Sequence, residues 1–406
     1  MGHFIDVCTL CEAKNRVADY DESTDVEFYE EAAEFKMLLA NYDNPVVPLP
    51  GEVHQPCVST ERWESIAIYR LLLMNNKMSK PRILVVGSFV MDLVASARRA
   101  PDLGETVIGF AFRTAPGGKG ANQAVQAARL GALTDMAGCV GDDSFGREMI
   151  QALKSSGVDT SHVKISRELP TGVGHIEIQD SPEGVQNRII VVPGANYDLK
   201  PSDLDWLKEG IESYDMVIMQ LELEMETIEY VARLAHDAGV PVMLNPAPAA
   251  ALSDELLSCV TYLTPNETEA AILAGIKTDA EGRLSEDILK NAASVLMSKG
   301  VENVIITLGD QGAALCTEDG VRIIPCVKMT DVKDPTAAGD SFVGGFCAGI
   351  SAGLSMQEAL QLAVHTAAIT VCGYGAIPSL PTLDQVEALM KERDFNELNN
   401  ILNNLK

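Results

Sequence analysis

The sequence predicts an α/β fold: a doubly wound, mostly parallel central sheet with helices on both faces, plus a small β-sheet lid. Two observations carry this. After residue 81, short unbroken apolar runs alternate with amphipathic stretches of helical length. Strands that are apolar throughout are the ones buried on both faces by crossover helices. Two stretches break that rhythm, 92–115 and 172–192, where apolar and polar residues alternate between Gly and Pro turns, as in Gly172-Val173-Gly174-His175-Ile176-Glu177-Ile178. Half-buried strands of that kind are expected as a separate lid over the main sheet.

Taken in order, the apolar runs place strands at 83–87, 134–140, 216–220, 241–245, 260–264 and 303–308. The 3.6-residue period places helices at 119–130, 144–156, 225–238, 267–274, 286–299, 340–352 and 356–371. Composition shifts near residue 80. Residues 1–80 hold fourteen acids and seven bases, with two helical patterns, 26–39 and 60–74, around the Pro-rich loop NPVVPLPGEVHQP. Met78-Ser79-Lys80-Pro81 then runs straight into a strand, so the expected organisation is an acidic N-terminal extension (1–80), one large unit (81–390) containing both lid segments, and a C-terminal helical tail (391–406).

The 406 residues carry 31 Lys+Arg against 58 Asp+Glu, a net charge of −27. That balance excludes the basic surface by which proteins displace counterions from nucleic acid. The longest apolar candidate, Val343 to Leu354, is far short of a membrane span and holds four glycines. The N-terminus lacks a secretory pattern, and nine scattered cysteines suit reduced thiols, so a cytoplasmic location is expected.

Four motifs carry chemistry. Asp334-Pro335-Thr336-Ala337-Ala338-Gly339-Asp340 opens a Gly/Ala-rich helix, where free backbone N–H groups and the helix dipole attract an anion. Asp340 there can take a proton from an attacking hydroxyl, or simply cap the helix. Ala115-Pro116-Gly117-Gly118-Lys119-Gly120-Ala121-Asn122-Gln123-Ala124 is neither a Walker loop nor a dinucleotide fingerprint, but its glycines let backbone approach a polar ligand. Asn245-Pro246-Ala247-Pro248 and Thr264-Pro265-Asn266-Glu267-Thr268-Glu269 both follow apolar strands and so belong at the ligand-binding edge of the sheet. Asn266 and Glu269 can share a hydrated Mg²⁺ and phosphate oxygens, or form a reciprocal helix cap. Thr307-Leu308-Gly309-Asp310-Gln311-Gly312 reads as a strand entering a hairpin.

In this order and spacing, GGKGANQA, LNPAPA, TPNETEA, ITLGDQG and DPTAAGD closely resemble the ribokinase branch of the PfkB carbohydrate-kinase family, over about residues 82–390. The resemblance implies transfer of the γ-phosphate of ATP to the 5-hydroxyl of a pentose. It implies Asp340 as general base and Ala337, Ala338 and Gly339 as an anion hole. It implies sugar contacts from Asp92, from Gly118, Lys119, Gly120, Ala121 and Asn122, and from Glu222. Nucleotide contacts are implied for Asn266, Thr307, Leu308, Gly309, Asp310, Gln311, Gly312 and Gly339, with His365 near the adenine; the alternative for His365 is helix packing. Mg²⁺ is implied near Glu269 through water. A monovalent cation, K⁺, is implied at Asp334, Thr336, Thr370, Gly373, Gly375 and Ser379. Family members pair lid strands between subunits, which implies a homodimer.

One position departs from the pattern. Ribokinases usually carry Asn where Val90 stands, and an apolar residue there is similar to what deoxyribokinases show. D-ribose is therefore the expected substrate and 2-deoxy-D-ribose the alternative. A sugar-sensing protein on the same fold is a further reading, disfavoured because a sensor has no need of Asp340. A hexose or nucleoside kinase is disfavoured by GGKGANQA and by Met219-Gln220-Leu221-Glu222. In the N-terminal extension, Cys8, Cys11, His54 and Cys57 offer a Cys₃His zinc set, with a helical packing or assembly module as the alternative.

Overall fold

The computed structural model describes residues 80–181, 184–277, 285–317, 320–393 and 402–406. The extension before Lys80, with Cys8, Cys11, His54 and Cys57, lies outside them. Along the chain the elements are β1 (Arg82–Val86), β2 (Val90–Ala97), β3 (Ala111–Gly117), α1 (Lys119–Arg129), β4 (Leu133–Gly141), α2 (Ser144–Ser155), β5 (Val158–Asp159), β6 (Val163–Ser166), β7 (Gly172–Ser181) and β8 (Gly184–Val192). Then follow β9 (Met216–Gln220), α3 (Met225–Asp237), β10 (Val242–Asn245), α4 (Asp254–Leu257), β11 (Tyr262–Leu263), α5 (Glu267–Ala274), α6 (Glu286–Ser298) and β12 (Asn303–Thr307). The series closes with β13 (Gly312–Thr317), β14 (Gly320–Pro325), α7 (Ala338–Ser351), α8 (Met356–Thr370) and α9 (Leu383–Glu392).

The continuous apolar strands are buried on both faces, as their composition requires. In β1, Ile83 and Val85 join one core with α1, α2, α7 and α8, while Leu84 and Val86 join the other with α3, α5 and α6. The same division repeats in β9, where Ile218 faces the first core and Val217 and Met219 the second. The sheet order is β14-β13-β12-β11-β10-β9-β1-β4-β5, with β6 also paired to β4. From β12 to β5 neighbouring strands are parallel. β13 and β14 add an antiparallel edge that the apolar pattern did not reveal beyond its Gly turn.

β1 pairs with β4 on one side and β9 on the other, so the chain leaves it in both directions. A crevice opens at such a switch point, outside the carboxyl ends of the strands. Both expected lid segments form strands of one separate sheet, ordered β3-β2-β7-β8. Four consecutive apolar residues of its edge strand β8, Ile189, Ile190, Val191 and Val192, are exposed, with Phe110 and Phe112 beside β2. Among the described residues, no helix is long and apolar enough to cross a membrane.

Candidate active site

The start of α1 is pressed against the turn after β1. Gly118 has φ +92°, and a Cβ on it would lie 2.6 Å from the Val90 nitrogen; one on Gly120 would lie 2.4 Å from the Ser88 nitrogen. Only glycine admits that approach. Glu222, just beyond β9, fastens the junction: its Oε2 accepts from the Lys119 N–H (3.1 Å) and the Ser88 hydroxyl (2.5 Å). The Lys119 ammonium is itself half-buried. Burial opposes its charge, but Asp340, Glu222 and Glu269 around it prevail and raise its pKa. Asp92, on β2, faces the same cluster. Burial, then the negative charge of Glu222, pushes its carboxyl up to about 6.

α7 begins two residues earlier than its periodicity suggests. Ala337 is the N-cap, held at φ 61°, which makes Asp340 the third residue of the first turn. Asp340 does not cap the helix. Its Oδ2 accepts from Asn122 Nδ2 (2.8 Å) and its Oδ1 from Gln123 Nε2 (3.0 Å), so the carboxylate is turned inward onto α1 and is 8% exposed. The Ala338 N–H is engaged with the Pro335 carbonyl at 3.2 Å. Helix geometry leaves the N–H groups of Gly339 and Asp340 without an intrahelical acceptor. Over Gly339 the space is open: a Cβ there would meet nothing within 4 Å.

Asn266 and Glu269 form the reciprocal cap of α5. Asn266 Oδ1 accepts from the Glu269 N–H and Glu269 Oε2 from the Asn266 N–H, each at 2.8 Å. Burial nonetheless raises the Glu269 pKa, and its charge is felt by Lys119. Thr307 lies beside Asn266 through an isolated parallel bridge, with its N–H on the Pro265 carbonyl (2.9 Å). Gly309–Gln311 form a 3₁₀ turn on the exposed rim, ending at Gly312. His365 is buried in α8, its Nδ1 2.7 Å from the Gln361 carbonyl one turn back, and burial lowers its pKa.

Beside α7, Asp334 joins two loops. Its Oδ1 accepts from the Thr336 N–H and hydroxyl, and its Oδ2 from the Gly375 N–H (3.0 Å). Burial opposes ionisation there, but these donors prevail and hold the carboxyl below the usual range. Gly373 donates to the Thr370 carbonyl, and the Ser379 hydroxyl to that of Ala376 (2.8 Å). The pattern of the pfkB family of carbohydrate kinases matches residues 80–383.

The chain belongs to the PfkB family of carbohydrate kinases. It is 39% identical over 308 residues to the ribokinase of Bacillus subtilis, covering 76% of this chain and 99% of that protein. To the deoxyribokinase of Salmonella typhi it is 35% identical over 304 residues, covering 75% and 96%. The structure of Arabidopsis thaliana ribokinase complexed with ribose and ATP superposes with a TM-score of 0.71 at 33% identity, over 77% of this chain and 99% of that one. Within this PfkB fold, the site also gathers residues that sequence reasoning did not single out. Ser88 holds Glu222, Arg113 faces Asp92 and Asp334, and the amides of Gln123, Gln220 and Asn245 lie behind Asp340. Gln123, Gln220 and Asn245 all lie inside motifs already quoted; nothing in their spacing announced that they meet.

Proposed function

We propose that this PfkB kinase transfers the γ-phosphoryl group of ATP to the 5-hydroxyl of D-ribose. The observation that carries this is the Asp340 carboxylate: buried, inward-facing, and shared between the first turn of α7 and the Asn122–Gln123 pair of α1. One atom group thereby links a turn suited to phosphate with a loop suited to a polyol. Asp340 accepts the hydroxyl proton as the oxygen attacks the γ-phosphorus and the bond from that phosphorus to the bridging oxygen breaks, releasing ADP. Developing negative charge is met at the Ala337-Ala338-Gly339 turn by backbone N–H groups such as that of Gly339, which has no intrahelical acceptor, aided by the dipole of α7.

Asp92, Gly118 to Asn122 and Glu222 hold the sugar: carboxylates accept hydrogen bonds from hydroxyls, and Asn122 Oδ1, a buried acceptor with no partner among the described residues, fits one more. Asn266, Thr307 to Gly312 and Gly339 line the nucleotide, with His365 on the adenine side. Among the described residues no three His, Cys, Asp or Glu side chains group as a metal centre. A lone carboxylate, Glu269, suits Mg²⁺ held mainly by phosphate oxygens and water, where the ion would neutralise phosphate charge. Asp334, the Ser379 hydroxyl and carbonyls of Thr336, Thr370, Gly373 and Gly375 are a hard-oxygen set suited to K⁺, which would order the loop before Asp340.

Supporting ribose is the identity with ribokinases; favouring 2-deoxyribose as the second reading is Val90, buried and unable to hydrogen-bond a hydroxyl. The kinase unit is 81–390, preceded by the extension 1–80 and followed by the tail 391–406, whose Leu402 and Leu405 are buried in the first core. The exposed apolar edge at Ile189–Val192 supports a homodimer through the lid, since long apolar edges are normally covered. The proposal places the enzyme in the cytoplasm. The test is ATP consumption against a panel of pentoses, deoxypentoses, hexoses and nucleosides, repeated with Asp340→Asn. Ribose turnover abolished by that substitution supports the reading; full turnover in Asp340→Asn refutes it.

A further inference from the structure

We propose that Gln123 is a positioning residue that sets the orientation of the Asp340 carboxylate through a polarised chain of amides. This rests on the reading of Asp340 as general base. Gln123 is 0% exposed, so it is packed away from any ligand, yet its Nε2 lies 3.0 Å from Asp340 Oδ1 and 3.2 Å from Asn245 Oδ1. Its Oε1 accepts from Gln220 Nε2 at 2.6 Å. An amide has two N–H donors at one end and an acceptor oxygen at the other. Here both donors and the acceptor are committed, so the group has one workable orientation.

That orientation is dictated from outside the site. Asn245 Nδ2 lies 2.9 Å from the Thr264 carbonyl, and a backbone carbonyl can only accept. The Asn245 nitrogen must therefore face Thr264, which leaves its Oδ1 for Gln123. Gln123 must then present its nitrogen to Asn245, and the second hydrogen of that nitrogen goes to Asp340. Reversing Gln123 would set its oxygen against the acceptor oxygens of Asn245 and Asp340. The polarity of one backbone carbonyl at the sheet edge is thus relayed through the end of β10 and the first turns of α1 to a single oxygen of the carboxylate on α7. With Asn122 on Oδ2, each oxygen of Asp340 receives one fixed donor, which defines the carboxylate plane and leaves lone pairs directed at the incoming hydroxyl.

The test compares the parent enzyme, Gln123→Met, Asp340→Asn and the double variant, using ribose and ATP and following residual turnover with radiolabelled ATP. Methionine keeps the length of the side chain and removes the hydrogen bonds. A misaligned base loses turnover and not ground-state binding, so kcat is expected to fall about 10- to 100-fold with both KM values within about threefold of the parent. In the Asp340→Asn background the same change is expected to cost less than about twofold, because residues acting as a unit are not additive. A folded Gln123→Met with parental kcat, or an equal loss in both backgrounds, overturns the proposal. Should Gln123→Met not fold, Asn245→Leu reads the chain one link further out: a kcat loss of about threefold or more at constant KM supports the relay, and parental kcat refutes it. A parent inactive on ribose, or an active Asp340→Asn, would instead overturn the reading of the site on which this rests.

Discussion

Asp92 on β2 lies directly opposite Gly174 on β7, so closely that a Cβ on Gly174 would fall 2.7 Å from Asp92 Oδ1. On the other flank, a Cβ on Gly117 would come within 3.0 Å of Oδ2. The carboxylate occupies a slot that side chains on neighbouring strands would otherwise fill. Gly174→Ala should push it off its position. If Asp92 binds sugar, the ribose KM rises by about tenfold, the scale of one hydrogen bond to a charged group, while the ATP KM stays near its parental value. Parallel losses in both KM values would mean general damage.

The raised pKa of Asp92, about 6, gives a pH prediction with a definite sign. An ionised carboxylate accepts two sugar hydroxyls; a protonated one offers less. As pH falls from 7 to 5, the ribose KM should therefore rise by about tenfold, and Asp92→Asn should flatten this dependence. The stability consequence follows the same group. Its folded pKa exceeds the unfolded value, so ionisation costs the folded state more than the unfolded one at pH above 6. Asp92→Asn should raise Tm at pH 8, and the gain should vanish as pH drops below about 4, where both states are protonated. A Tm difference independent of pH would contradict this.

Much of this was legible in the chain, and the reasons are physical. The runs 83–86 and 216–219 are apolar at every position because both faces are buried, so their strands could be read directly. The lid was legible because 92–115 and 172–192, punctuated by Gly and Pro, break the rhythm of continuous apolar runs, and both supply strands of the separate sheet. The β12–β13 hairpin was legible from residues 307–312, but the edge strand β14, Gly320–Pro325, was not: it is short and mostly unburied. Nor was the 3₁₀ stretch Pro201–Glu209, whose turns give no 3.6-residue period. Asp340 could be named from its motif, but its alternative as a helix cap was excluded only by contacts with Asn122 and Gln123, 218 and 217 residues away. For Asn266 and Glu269 the outcome reverses: the cap is present, and the proposed phosphate-side role would be additional to it.

Val90 supplies a specificity prediction. It is buried, and its Cγ1 lies 3.5 Å from where a Gly174 Cβ would be, so it shares the wall that holds Asp92. An apolar wall gains nothing from a 2-hydroxyl, whereas an amide there can bond it. Val90→Asn should raise the ratio of kcat/KM for ribose over 2-deoxyribose by about tenfold. An unchanged ratio would remove Val90 from the specificity argument.

Asp334 distinguishes a fastener from a cation ligand. Its two oxygens already tie Thr336, before α7, to Gly375, after α8, so a purely mechanical role is available to it. An amide at 334 would keep one acceptor and lose the charge. If the carboxylate also balances a monovalent cation, the parent should lose about tenfold in kcat when K⁺ is replaced by a bulky organic cation, and Asp334→Asn should be slow in both buffers, because ion and charge act together. If it is only a fastener, Asp334→Asn will be slow yet still gain the parental factor from K⁺. The decisive quantity is thus the ratio of rates with and without K⁺, and the site reading requires that ratio to collapse towards one in the variant.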